Sequence, residues 1–179
     1  FITLLEHDMK PTSEILPLPD FSVPMVRKFD DNFITDDISL ADWSKNSRKG
    51  LVLYFYPKDN TPGCSTQATD FTDMQHQFDK LGYDVIGVSC DGIDSHKNFI
   101  DKKNLQITLI SDEDEKLCQY FDVIREKNTY GKKTIGLVRS TFVYDANGNL
   151  THAQRNLKAT GHAERLYKTL AQNKTLAQT

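Results

Sequence analysis

The chain has 179 residues, 38% hydrophobic and 26% charged, the composition of one ordinary globular domain with enough apolar side chains for a core. A formal net charge of −3 argues against a general nucleic-acid binder, whose domain is usually strongly basic. No apolar run approaches the roughly 18 residues of a membrane span, and three cysteines without a CxxC pair fit neither a disulfide scaffold nor a zinc ribbon.

Residues 1–5 are apolar, but they lack a basic flank and run into Glu6, His7 and Asp8, which makes a poor signal peptide. Residues 1–16 read as an N-terminal extension and residues 17–179 as the domain. Pro17 and Pro19 punctuate the entry. Phe21, Val23 and Val26 start a weak alternation, so residues 20–45 read as short edge strands and turns, with Trp43 as a core anchor.

From Lys49 the pattern sharpens. Residues 51–56 are a continuous apolar and aromatic run, as expected of a strand buried on both faces. Residues 57–63 carry turn chemistry. Ala68, Phe71, Met74, Phe78 and Leu81 then recur at helical spacing, and Gly82 ends that helix. Residues 83–89 read as a second buried strand, 94–103 as a helix and 107–110 as a third strand. Asp112 and Glu115 suggest a capping box for a helix running to Phe121. Residues 125–138 read as a loop with Arg125, Lys127, Lys132 and Lys133, a solvated face rather than a nucleic-acid patch. Residues 140–144 and 150–155 flank Asn147-Gly148, a hairpin signal. Ala163, Leu166, Tyr167 and Leu170 share one face of a final helix. Strands alternating with helices predict an α/β fold: a three-layer α/β/α sandwich with a mixed sheet, parallel at its centre with an antiparallel hairpin at one edge.

One residue stands out for chemistry. Cys64 falls in the first turn of a helix, just past the end of a buried strand. Helix N-termini present unpaired N–H groups and the positive end of the helix dipole, which favour thiolate over thiol. Such placement lowers a cysteine pKa from about 8.5 to roughly 3.5–7.5. Open α/β sheets also bind ligands beyond the carboxyl ends of their strands. Most free cysteines are small buried hydrophobes. The Gly63-Cys64 step, beside Thr61 and between prolines, favours function here.

Residues 54–64, reading Tyr-Phe-Tyr-Pro-Lys-Asp-Asn-Thr-Pro-Gly-Cys, resemble the active-site segment of peroxiredoxins, in particular the bacterioferritin comigratory protein or Q-type group. Pro57, Thr61 and Cys64 meet the family's Pro-x-x-x-Thr-x-x-Cys pattern. Segments 87–89, 95–99, 111–115, 121–124 and 130–131 resemble later family landmarks, and 139–142 resembles the segment that supplies its arginine, Arg139. The resemblance covers residues 17–174. It implies a thioredoxin-like fold and a thioredoxin-dependent thiol peroxidase of antioxidant defence, acting on hydrogen peroxide and organic hydroperoxides. Cys64 would attack peroxide and become a sulfenic acid. Thr61 and backbone N–H groups would hold the peroxide, Arg139 would stabilise charge, and Pro57 would shield the pocket. No cofactor or metal is implied, and none has a motif: the five histidines show no ligand spacing.

The departure from the family lies in the second cysteine. Members carry a resolving cysteine five residues after the peroxidatic one, here Thr69, or on the following helix, here Ile100. A one-cysteine cycle with an external reductant (thioredoxin, glutaredoxin or a small thiol) is the favoured expectation. Cys90, at the end of the neighbouring strand, is the second-ranked resolver. Cys118 reads as a packed core thiol and His96 as a helix residue without a catalytic role. The cysteine usage points to a reduced, intracellular chain, read as cytoplasmic, and the resemblance leans towards a monomer. A redox sensor or partner-binding protein on the same fold is the alternative, and a disulfide reductase is disfavoured by the missing CxxC.

Overall fold

Two strands, β1 (Ser22–Phe29) and β2 (Asn32–Ser39), open the main sheet in a computed structural model that describes residues 9–177. Asp30 and Asp31 both take positive φ between them, the geometry of a two-residue hairpin turn that matches strand twist. Helix α1 (Leu40–Ser47) follows, where the sequence pattern indicates only edge strands and turns. Its start is legible: the Ser39 side chain accepts the Asp42 N–H at 3.3 Å, a capping residue ahead of an acidic first turn. Leu40 supplies the buried contact, and Trp43 is only half-buried at the rim of the core.

The central elements alternate. They are β3 (Gly50–Phe55), α2 (Pro62–Asp73), α3 (Gln75–Lys80), β4 (Tyr83–Ser89), α4 (Ile93–Lys103) and β5 (Thr108–Ser111). The helix expected through Leu81 is broken at Met74, which closes α2 and opens α3. Phe71 and Phe78 nevertheless stay buried in one cluster, so the break preserves the apolar face. Helix α5 (Lys116–Tyr120) is capped differently from the expected box. Glu115 sits in the left-handed region without a side-chain cap, and the Asp112 carboxylate accepts the Leu117 and Cys118 N–H groups at 3.0 and 2.8 Å.

Strands β6 (Ile124–Thr129) and β7 (Lys132–Leu137) replace the expected loop at 125–138 and form a separate two-stranded sheet. Tyr130 and Gly131 turn it with positive φ at both positions. Most of β7 is solvent-exposed, so no hydrophobic alternation announces it. Strands β8 (Ser140–Tyr144) and β9 (Leu150–Arg155) form the expected hairpin, and α6 (His162–Ala177) ends the described chain.

The main sheet has the order β2-β1-β5-β4-β3-β8-β9. β3, β4 and β5 run parallel; β8 joins β3 and β1 joins β5 antiparallel. The sheet is thus antiparallel at both edges, not one. Alternation along β3 divides the core: Val52, Tyr54 and Tyr56 face α2, α4 and α6, while Leu51, Leu53 and Phe55 face α1 and α5. This is the expected three-layer thioredoxin-like sandwich. Residues 9–16 run along the outer edge of β9, through the Thr12 N–H to the Thr151 carbonyl (3.0 Å) and the Glu14–Arg155 ion pair (3.1 Å). The rest of the expected extension, residues 1–8, lies outside the described residues.

Candidate active site

The chain leaves β3 at Phe55 and reaches α2 through a short loop that is tied down from below. Asp59, nearly fully buried, accepts the Tyr56 hydroxyl at 2.7 Å and the Ser95 hydroxyl at 2.8 Å. Its backbone N–H donates to the Asp91 carboxylate at 2.8 Å. His96, fully buried on α4, lies with Nδ1 2.7 Å from the Asp59 carboxylate and Nε2 2.9 Å from the Ile110 carbonyl. A carbonyl can only accept, so Nε2 is the nitrogen that donates to Ile110. Buried polar groups are stable only when satisfied in this way. His96 therefore holds the loop and does not touch Cys64.

The loop delivers Thr61 to the N-cap of α2, with Pro62 as the first helical residue. The Thr61 carbonyl accepts the Ser65 N–H at 2.8 Å. Its hydroxyl does not cap the helix; it donates backward to the Lys58 carbonyl at 2.8 Å. Cys64 is then the third helical residue, its N–H among the four that a helix start leaves without an intrahelical partner. Its side chain is 1% exposed. Pro57 sits half-buried at the mouth of the same loop.

Arg139, between β7 and β8, completes the cluster. Its Nη2 lies 3.2 Å from the Cys64 sulfur, and its Nη1 donates to the Gln67 side-chain oxygen. Gln67 is fully buried one turn after Cys64, and its Nε2 has no protein partner among the described residues. The guanidinium fork is thus held at one tine and presented to sulfur at the other. Tyr54 lies beneath, stacked on Phe71 at 4.6 Å, and its hydroxyl also lacks a protein partner among the described residues. The ring passes so close to Gly87 that a Cβ there would stand 2.8 Å from the Tyr54 Cζ. Burial, with negative charge at Cys64, pushes the Tyr54 hydroxyl well above its ordinary range, so it stays protonated. On the β6–β7 side, burial and the Arg139 charge pull Lys127 below the usual lysine range, with Cys64 opposing.

Of the residues picked from sequence, the structure brings Cys64 and Arg139 into contact and sets Thr61 and Pro57 on the same loop. It takes Cys90 elsewhere. Cys90 follows β4 on the face covered by α5, opposite the face where Cys64 packs, and its sulfur meets Cys118. Sequence reasoning missed Gln67, although a polar residue on the apolar stripe of Cys64, Ala68 and Phe71 was a legible signal. It also took Lys127 for part of a solvated face.

A buried sulfur at a helix start, faced by a fixed cation, is suited to presenting a thiolate to a small electrophile. A model of the AhpC/TSA family matches residues 16–153. Peroxiredoxin Bcp of Xanthomonas campestris is 50% identical over 114 residues, 64% of this chain and 71% of that protein. Peroxiredoxin Bcp of Bacillus subtilis is 41% identical over 135 residues, 75% and 84% of the two chains. The solved structure of the Xanthomonas campestris bacterioferritin comigratory protein, described for its alkyl peroxide reduction activity, superposes with a TM-score of 0.75 at 38% identity, over 88% of this chain and 97% of that one. With a family match across most of the domain and relatives of this identity, the chain belongs to the AhpC/TSA family, as a peroxiredoxin of the Bcp or Q-type group and hence a thiol peroxidase.

Proposed function

We propose that Cys64 is the peroxidatic nucleophile in a one-cysteine cycle that reduces hydrogen peroxide and organic hydroperoxides. The observation that carries this reading is the 3.2 Å approach of the Arg139 guanidinium to the Cys64 sulfur. The thiolate attacks the nearer peroxide oxygen, the O–O bond breaks, and water or an alcohol leaves with a proton. Sulfur is left as sulfenic acid. Arg139 attracts the thiolate and then the charge that moves onto the departing oxygen, and it needs no rearrangement because Gln67 already holds it. The Thr61 hydroxyl already donates to Lys58, so its lone pairs are free to accept the peroxide O–H. Backbone N–H groups at the start of α2 hold the other oxygen, and Pro57 keeps bulk water from the pocket.

An external thiol then attacks the sulfenic sulfur, releases water, and a second thiol frees Cys64. Thioredoxin, glutaredoxin or a small thiol fits this role. The positions that would carry an internal resolver hold Thr69 and Ile100, and Cys90 lies across the sheet. Three free cysteines suit a reducing compartment such as the cytoplasm, and we read the working state as a monomer. Among the described residues, no helix is long and apolar enough to cross a membrane.

The test is a peptide map after one equivalent of peroxide with a sulfenic-acid trap present. A trapped adduct on Cys64, and loss of peroxide consumption in Cys64→Ser, are expected. Unmodified Cys64 in folded protein would overturn the assignment. Without reductant, repeated peroxide should drive Cys64 on to sulfinic acid.

A further inference from the structure

Cys90 and Cys118 take no part in the site around Cys64, yet the fold brings them together from opposite ends of a 28-residue separation, sulfur to sulfur at 3.7 Å. Cys90 follows β4 and continues the row of Ile86 and Val88; Cys118 lies within α5, on the same side of the sheet. Cys118 is fully buried and Cys90 half-exposed, so a reagent reaches the pair through Cys90. The hydrogen bond with Cys118 draws the Cys90 thiol below its ordinary range, against burial and the charges of Asp112, Glu115 and Asp91. The same contact and burial push Cys118 well above it. The half-exposed sulfur thus meets a reagent first, with its buried neighbour 3.7 Å away.

Asp112 also comes within reach of both sulfurs, a grouping that invites a metal reading. Its two oxygens, however, already accept the Leu117 and Cys118 N–H groups. Two thiols and a committed carboxylate fall short of the four ligands of a structural zinc site.

We propose that Cys90 and Cys118 form a second redox centre, a thiol pair that closes to an intramolecular disulfide when peroxide reacts at Cys90. In the first step the Cys90 thiolate attacks a peroxide oxygen. The O–O bond breaks, the leaving oxygen takes a proton as water or alcohol, and Cys90 becomes a sulfenic acid. In the second, the Cys118 sulfur displaces the hydroxyl, which departs as water with the Cys118 proton. One peroxide is reduced by two electrons and two thiols are oxidised to one disulfide. The sulfurs must close to about 2.05 Å, a movement the half-exposed Cys90 side chain can make. The pair works without Cys64, from which the sheet separates it.

The experiment uses Cys64→Ser and the unaltered protein, each treated with excess hydrogen peroxide, unfolded, alkylated and peptide-mapped with and without prior reduction. Expected in both is a reducible link between the Cys90 and Cys118 peptides, with neither thiol alkylated before reduction. In Cys64→Ser/Cys118→Ser the link should vanish and Cys90 should instead take up a sulfenic-acid trap. Three results would overturn the proposal: both thiols still alkylated after peroxide, Cys90 carried to sulfinic or sulfonic acid without bridging, or a Cys64–Cys90 link in the unaltered protein. The state of Cys64 is read separately in the unaltered protein, so failure here is distinct from failure of the peroxidatic assignment.

Discussion

Arg139 acts through two contacts at once, and each can be removed separately. Arg139→Gln removes the charge facing Cys64, and the second-order rate with peroxide should fall about 10²–10³-fold, the usual cost of losing one preorganised electrostatic group. Gln67 touches only the other tine of the fork. Gln67→Ala should free the guanidinium to wander and slow the reaction by roughly 10-fold or more. Gln67→Met fills the same space without an acceptor for Nη1, so it should slow the reaction about as much as Gln67→Ala. Stopped-flow kinetics on the three variants checks this ordering, and an unchanged rate in Gln67→Met would show that the side chain does not position Arg139.

Elements hold the site through polar anchors that the hydrophobic pattern does not reveal. Asp59 collects Tyr56, Ser95 and His96 under the loop before α2. Asp59→Ala would strand two buried polar groups, on Tyr56 and His96, and the half-buried Ser95 hydroxyl, and breaking a buried network of this kind costs about 3–5 kcal/mol. Urea unfolding should show that loss, together with slower peroxide reduction as the loop loosens. Asp112 plays a smaller part, holding two N–H groups at the start of α5. Asp112→Ala should cost about 1–2 kcal/mol, the usual effect of a lost cap. The α5 helix of five residues gains little from helix propensity alone, so its position depends on Asp112 and on the burial of Leu117 and Cys118.

At the scale of the whole molecule, stability should depend on pH through a buried histidine behind the site, packed against Phe71. His162, at the start of α6, is held down to about 3 by burial and by the Arg165 and Arg139 charges, with Thr141 as its hydrogen-bond partner. In the unfolded chain it titrates near about 6.5. Between these values the unfolded state binds a proton that the folded state refuses, so stability falls as pH drops below about 6.5, by up to about 1.4 kcal/mol per pH unit. Burial lowers His152 as well, in the same direction. Melting temperatures from pH 7.5 to 5 should decline, and His162→Gln should flatten the slope; an unchanged slope would remove His162 from the account. The sequence by itself determined the elements whose apolar residues meet the core, because burial imposes period and run length: β3, β4, the α2 stripe and α6 were all legible. It also singled out Cys64, the proposed nucleophile, because a strand end, a proline-stiffened turn and a helix start are local features. The exposed β6–β7 hairpin was not legible, since no face of it is required to be apolar. Only the tertiary structure decided that Gln67 holds Arg139, that Asp59 meets His96 and that Cys90 faces Cys118. Those pairs lie 72, 37 and 28 residues apart, and no local pattern encodes which distant side chain a polar group will find.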